Sequence, residues 1–89
     1  MARQYTEYWI SLRDKYGDSV ESEVCEKKRD AILQFQEWIP RVDSGEFQYL
    51  EVEKVISYPD EEGFVDGRDY EVVESHGSEE FIDPFEGDA

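Results

Sequence analysis

Carboxylates are the commonest reactive groups in this chain, with 24 Asp and Glu side chains among 89 residues. Glu51 and Glu53 are two residues apart, and on a β-strand that spacing places both side chains on one face, roughly 6.6 Å apart along the backbone. Such a pair performs general acid and base chemistry only when a dry pocket raises the pKa of one member. A chain this short buries a small core, which leaves little material for such a pocket. We therefore expect a protein that is not an enzyme.

The acidic segment that begins at Asp60 invites comparison with a calcium-binding EF-hand loop. A register that begins at Asp60 places Glu71 at the twelfth position, as the motif requires. It also places Phe64 and Val65 at the fifth and sixth positions, where the motif needs a ligand oxygen and a glycine. A register two residues later places Val73 at the twelfth position. No specific calcium site is expected.

The chain has one cysteine and one histidine, Cys25 and His76. A single cysteine forms no internal disulfide, and these two residues alone are too few for a zinc site. We interpret Cys25 as a small, partly buried residue of a helix. His76 lies in a short break rich in Gly and Ser, and we interpret it as a surface loop residue. No metal and no cofactor are expected.

The net charge of −15 is concentrated in one half of the chain. Residues 1–41 contain eight acidic and seven basic side chains, whereas residues 42–89 contain sixteen acidic and two basic ones, Lys54 and Arg68. This excess argues against direct binding of nucleic acid or of an anionic membrane, since both are polyanions. It favours a basic protein partner. No apolar run has the length of a signal peptide or a bilayer span, so a soluble intracellular protein is expected.

Two helices are predicted in the N-terminal half. Over residues 3–16 large apolar side chains recur every three or four residues and form one stripe; they are Tyr5, Tyr8, Trp9, Leu12 and Tyr16. Gly17 is a natural helix end. A second helix over about 20–38 carries a similar stripe and is expected to end at Pro40, because the residue before a proline leaves helical geometry. The short turn between the helices predicts an antiparallel pair.

Alternating apolar and polar residues predict strands over about 47–58 and 69–75. Helices followed by strands are typical of the α+β class. The predicted fold is therefore α+β: two N-terminal antiparallel helices packed on a small antiparallel sheet of two or three strands. Residues 1–77 are expected to form this single domain, and residues 78–89 an acidic C-terminal tail.

The acids of the second half are interleaved with aromatic side chains, which are common anchors of protein interfaces. On a strand, carboxylates of one face repeat about every 6.6–6.8 Å, and nucleic-acid phosphates present a comparably dense row of negative charge. The residues expected to bind a partner are Glu46, Glu51, Glu53, Asp60, Glu61, Glu62, Asp66, Asp69, Glu71 and Glu74, with the aromatic residues Tyr49, Tyr58, Phe64 and Tyr70.

In size, in charge and in the pattern of acids with aromatics over residues 46–86, the chain resembles the small acidic phage-borne proteins that mimic DNA against host defence. These include anti-CRISPR and anti-restriction proteins. The resemblance implies a non-enzymatic inhibitor that occupies the nucleic-acid groove of a basic protein, such as a CRISPR effector or a restriction enzyme. It also implies a location in the cytoplasm of a bacterial or archaeal host cell.

Other functions fit the same charge pattern. An antitoxin or immunity protein would use an acidic surface to cover a basic toxin. An acidic adaptor would offer its tail, residues 78–89, as a short linear motif to a partner groove. In a further interpretation, the acidic side chains only confer solubility. Exposed parts of the Tyr and Trp stripe could also support a homodimer.

Overall fold

A computed structural model describes residues 3–83. These residues form two β-hairpins joined by one helix; the elements are β1 (Tyr5–Arg13), β2 (Ser19–Cys25), α1 (Lys28–Asp43), β3 (Tyr49–Pro59) and β4 (Val65–Gly77). The four strands form one antiparallel sheet in the order β2-β1-β3-β4. Because β2 and β3 both run antiparallel to β1, the connection through α1 crosses over β1. The molecule is flat, with extents of 52 × 33 × 16 Å.

The predicted fold of two helices on two or three strands is wrong, and the first error is the helix over residues 3–16. This segment is the strand β1. The helical stripe omitted Ile10, which is 0% exposed. Alternation places Tyr8, Ile10 and Leu12 on one face, and all three contribute to the core. The segment is rich in aromatic and β-branched residues, which favour a strand.

The helix predicted over about 20–38 is also wrong in its first part. Residues 19–25 form β2, whose Val, Ser and Val at alternate positions follow the two-residue period of a strand. The helix begins at Lys28 and continues through Pro40 to Asp43. Pro40 is exposed, and the chain then turns at Gly45, which has a φ of 87° that favours glycine. Within residues 3–83 no helix has the length and apolar character needed to cross a membrane.

The two strands predicted in the second half overlap β3 and β4. The turn between them lies at Asp60–Phe64, where the Phe64 carbonyl accepts from the Asp60 backbone N–H at 2.7 Å. The Asp60 carboxylate accepts from the backbone N–H groups of Glu62 and Phe64, both at 2.9 Å. This side chain thereby closes the loop, as aspartate commonly does in turns. The loop lets β4 start at Val65, so the hairpin is longer than predicted.

The core lies between α1 and one face of the sheet. Ile10 and Leu12 of β1 and Leu50 and Val52 of β3 are all 0% exposed, and Phe35 is the largest buried side chain that α1 packs against them. The opposite face, called here the open face, is covered at one end by residues 78–83 and elsewhere by no element among the described residues. The helix therefore covers one face of the sheet. On the open face, Tyr49, Val55 and Ser57 of β3 are nonetheless 2%, 0% and 0% exposed, whereas the edge strands β2 and β4 are largely exposed.

Ile10 tests this arrangement directly. We expect Ile10→Ala to lower the free energy of unfolding by about 2–5 kcal/mol, because it leaves a cavity beneath α1. Val20 on the neighbouring strand is 54% exposed, and Val20→Ala should cost less than about 1 kcal/mol. Urea denaturation of both variants measures the difference. Equal small losses would contradict the strand assignment, since a helix over residues 3–16 would leave Ile10 outside its apolar stripe.

Candidate functional site

The hairpin of β3 and β4 projects beyond the rest of the sheet. Pairing between β1 and β3 ends at Tyr5 and Ser57, whereas β3 and β4 remain paired as far as Pro59 and Val65. We call residues 58–74, which comprise the hairpin tip and most of β4, the acidic arm. Every residue from Glu61 to Val72 is exposed. The arm therefore presents its side chains to solvent along most of its length.

The carboxylates of β4 form a row set by the strand register. Asp69, Glu71 and Glu74 lie opposite Ile56, Lys54 and Val52, which belong to the face that α1 covers. Neighbouring positions of such a row are about 6.8 Å apart, and a bulge at Val73 widens the second gap. The arm's arginine, Arg68, points to the open face, where its Nε donates to Ser57 Oγ at 3.2 Å. Lys54, which pairs with Glu71 in the strand register, is therefore the nearest cation to the carboxylate row along the paired strands.

Aromatic side chains accompany the acids on the arm. Phe64 is 69% exposed at the tip, and Tyr70 is 54% exposed on the open face of β4, opposite the carboxylate row, where it contacts Trp9. The Tyr58 hydroxyl donates to Asp69 Oδ2 at 2.7 Å, and this hydrogen bond raises the pKa of Tyr58. The arm therefore combines apolar contact area with negative charge, as protein interfaces often do at their centre and rim.

The structure brings most of the predicted partner-binding residues together on the arm. These are Asp60, Glu61, Glu62, Asp66, Asp69, Glu71 and Glu74, with Tyr58, Phe64 and Tyr70. It separates the other four from them. Glu46 lies before β3, at the end of that strand away from the tip, and pairs with Arg41 of α1 at 3.1 Å. Arg41 also pairs with Glu21 of β2 and lowers the pKa of that carboxyl.

Glu51 and Tyr49 are buried beneath the open face rather than presented to a partner. Their exposed fractions are 7% and 2%. Glu51 Oε1 accepts from Arg13 Nη2 at 2.7 Å. The Tyr49 hydroxyl donates to Glu79 Oε1 at 2.8 Å and lies 3.3 Å from Glu51 Oε2. Burial, followed by the hydrogen bond to Glu79, raises the pKa of Tyr49 to about 12. Both residues have a structural role here, because their polar groups are matched inside the protein.

Glu53 lies on the open face in a cleft of about 460 Å³. We call this the indole cleft, after the Trp9 side chain in its wall; it is also lined by Ser11, Arg13, Ser22, Glu23, Val24 and Glu51. Glu53 is half-buried and lies opposite Trp9 in the strand register. Burial raises the pKa of Glu53, and the nearby Glu51 charge raises it further, while Arg13 partly offsets both effects. Sequence analysis missed Trp9 and Arg13 as site residues because it placed them in a helix.

The raised pKa of Glu53 has a consequence for stability. The folded state binds this proton more tightly than the unfolded state, so the charged carboxylate weakens folding once the pH rises above the ordinary value of 4.5. We expect Glu53→Gln to raise the free energy of unfolding at pH 7 and to have little effect below pH 4. Urea titrations of both proteins at several pH values measure it. A variant less stable than wild type at pH 7 would contradict the assigned environment.

Residues 78–83 of the predicted tail lie against the sheet; residues 84–89 are outside the described part. Ile82 N–H donates to the Lys15 carbonyl at 2.8 Å, and Gln48 Nε2 donates to the Glu80 carbonyl at 2.8 Å. The Phe81 ring meets Tyr49 edge to face, with centroids 6.0 Å apart. A linear motif would have to leave these contacts before it could offer Phe81 to a partner.

The two residues considered for metal chemistry lie in different places. Cys25 ends β2, not a helix, and burial raises the pKa of its thiol. His76 lies in β4, not in a loop, and its Nε2 is 2.7 Å from Asp43 Oδ1 of α1. Among residues 3–83 no three His, Cys, Asp or Glu side chains are arranged to hold a metal ion. Comparison of the chain with protein-family models, with curated proteins and with solved structures finds no match.

Proposed function

We propose that this protein is a non-enzymatic inhibitor that uses the acidic arm to occupy the nucleic-acid groove of a basic protein. The observation that carries the proposal is the continuous exposure of carboxylates from the hairpin tip along β4. The partner class is a CRISPR effector or a restriction enzyme, which acts in the cytoplasm of a bacterial or archaeal cell. The protein would then be an anti-CRISPR or anti-restriction inhibitor of the DNA-mimic type.

The charge of the arm supports this proposal. Residues 58–74 contain seven acidic side chains and one basic side chain, Arg68. B-DNA carries roughly one negative charge per 1.7 Å of helix axis, and a groove lined by Lys and Arg to hold it also attracts a dense row of carboxylates. Electrostatic attraction of this kind speeds association and weakens as salt concentration rises.

The shape of the arm supports it as well. The part of β4 that belongs to the arm, residues 65–74, extends roughly 33 Å at about 3.3 Å per residue. The tip continues past the last β1 pair by Tyr58, Pro59 and the turn that follows, so it is a short two-stranded ribbon that can lead into a groove. Phe64 at the tip offers a large apolar side chain at the place where a groove would exclude water, and buried aromatic anchors supply much of the affinity of protein interfaces.

The proposal is tested by displacement of DNA. The wild-type protein is titrated into fluorescently labelled DNA bound to each member of a panel of CRISPR effectors and restriction enzymes. We expect release of DNA from at least one member at low salt. If no member of the panel releases its DNA, the partner belongs to another class of basic protein.

That other class is a basic toxin, in which case the chain is an antitoxin or an immunity protein. The electrostatic argument for it is the same, because a cationic toxin surface also attracts the arm. An adaptor that acts through its tail is less well supported, since Phe81 is already packed on Tyr49. A variant that ends after Ser78 separates these functions: an adaptor loses its partner, whereas a protein that binds through the arm keeps it.

A further inference from the structure

The indole cleft on the open face has an excess of negative charge, which favours a positively charged ligand. Two carboxylates face it, Glu51 and Glu53, against one cation, Arg13. Glu23 also lines the cleft, but it lies opposite Ile10 in the register and its carboxylate is near Gln34 of α1, on the other face. Arg13 is already committed to Glu51. Glu53 has no ion pair among the described residues, although it is half-buried. A half-buried carboxylate without an ion pair is costly; the nearby charge of Arg13 offsets part of that cost, and a cation placed in the cleft would reduce it further.

The cleft also offers aromatic and hydrogen-bonding groups in addition to charge. The Trp9 indole forms part of its wall, and indole is the ring that attracts cations most strongly. The Trp9 Nε1–H and the Arg13 Nε–H are buried and have no acceptor within the described chain. Unsatisfied buried donors of this kind are rare. Both donors belong to residues that line the cleft, and a bound carbonyl reaches them only after a shift of these side chains.

The protein itself shows which cation Trp9 accepts. The Arg68 guanidinium lies 5.6 Å from the centre of the Trp9 ring, and the Tyr70 ring meets Trp9 edge to face at 6.0 Å. A guanidinium is planar, stacks on aromatic rings and binds a carboxylate through two hydrogen bonds, whereas an ammonium group is a compact and strongly hydrated charge. A cleft with an indole wall and a free carboxylate therefore suits arginine better than lysine.

We propose that the indole cleft binds an arginine side chain of the partner protein, with Glu53 as its counter-charge and Trp9 as its stacking surface. The proposal rests on the proposed function in one respect, namely that the partner is a basic protein. It places a second contact on the open face, whereas the carboxylate row of β4 lies on the face that α1 covers, so a partner that contacts both is held in one orientation around the edge of the sheet. The arm supplies attraction, and the cleft selects one side chain.

The experiment uses a capped peptide of three arginines as the probe and follows the indole N–H resonances of Trp9 and Trp38 by NMR. An otherwise identical peptide of three citrullines, which are neutral and nearly the same shape, is the control ligand. We expect the Trp9 resonance to shift in a saturable way with the arginine peptide, while the Trp38 resonance stays in place. The citrulline peptide should produce no saturable shift.

Matched variants separate the cleft from general attraction to an acidic protein. Glu53→Gln should weaken binding of the arginine peptide about fivefold, the upper end of what one partly exposed ion pair contributes. Glu37→Gln removes the same charge from an exposed position on α1 and should change the affinity little. An unmoved Trp9 resonance, an equal shift with citrulline, or equal affinities of the two variants would each overturn the proposal.

The same measurements distinguish this proposal from the proposed function. If the arginine peptide binds the cleft but no DNA is displaced from any effector, the cleft remains a cation site and DNA mimicry is wrong. If DNA is displaced but Glu53→Gln and Glu37→Gln displace it equally well, and neither variant changes peptide binding, mimicry stands and the cleft proposal is wrong.

Discussion

Replacing Glu62, Asp66 and Glu71 together by lysine is expected to abolish displacement of DNA from the partner. All three side chains are exposed and belong to the acidic arm, so the change reverses the potential of the arm without entering the core. Reversing an exposed charge that pairs across an interface costs about 1 kcal/mol or more each, because an attraction of up to about 1 kcal/mol is lost and a repulsion replaces it. We therefore expect the affinity for the partner to fall by at least about a hundredfold at low salt.

The control for this variant carries the same net charge. Asp18, Glu26 and Glu37 are also exposed and lie outside the arm, and replacing these three by lysine changes the total charge equally. If binding depends on the position of the acids, the control keeps most of the affinity of the wild type. Similar losses in both variants would show that only total charge matters, and the arm would then have no special role.

Gly77→Ala is expected to unfold the protein or to lower its free energy of unfolding by more than about 3 kcal/mol. Gly77 ends β4 with a φ of 104°, in the region that favours glycine. A Cβ there would lie closer to the Gln48 carbonyl oxygen than atoms can approach, and 3.0 Å from Val42 Cγ1. The backbone of Gln48 and the Val42 side chain of α1 both confine this position. The steric clash is therefore relieved only if the end of the sheet separates from α1.

Gly45 provides the matched comparison. Its φ is 87°, but a Cβ there meets nothing within 4 Å. Gly45→Ala therefore measures the conformational cost alone, which we expect to be about 1 kcal/mol. The difference between the two variants, measured by urea denaturation, reports the steric clash at Gly77. Equal losses would mean that the close approach of β4 to Gln48 is absent in solution.

The second half of the fold was easier to predict from sequence than the first. In β3, Leu50 and Val52 alternate with acids, and no helical spacing competes with that pattern. In β1, aromatic residues occupy both faces of the strand, and their positions also satisfy a helical stripe. Ile10 was the discriminating residue, because only the strand period gives it a buried position. The local sequence pattern could not distinguish a helix from a strand here, since the burial of Ile10 depends on its contacts with β3 and α1.

Pro40 illustrates a second limit of sequence reasoning. Proline is a strong signal for a helix end, yet α1 continues for three residues beyond it. Arg41 lies in that last turn and pairs with Glu21 and Glu46, while Val42 packs against the core. These tertiary contacts offset the backbone hydrogen bond that proline cannot make. The contacts of Arg41 with Glu21 and of Val42 with the core join residues distant in sequence, so the local sequence pattern could not reveal them.

The candidate site was predicted in part for the same reasons. The acids and aromatics of the arm are close in sequence, so a hairpin brings them together without help from other elements. Glu51 and Tyr49 could not be recognised as structural residues, because their partners Arg13 and Glu79 come from β1 and from residues 78–83. The indole cleft was missed altogether, since Trp9 reaches Glu53 only when β1 is a strand.

The acids of β4 also have a consequence for the free protein. β4 lies at the edge of the sheet, where unpaired backbone groups favour association with other strands. Exposed carboxylates and the bulge at Val73 oppose such pairing. The edge is therefore protected against pairing with a second acidic strand.

Competition between the protein and DNA for a single partner is the measurement to make. With the partner found by displacement, its apparent Kd for this protein is measured at several DNA concentrations and at two salt concentrations. DNA mimicry predicts that the apparent Kd rises in proportion to DNA concentration, and that the Kd without DNA rises with salt. An apparent Kd that does not change with DNA would show that the protein binds outside the nucleic-acid groove, and would contradict mimicry.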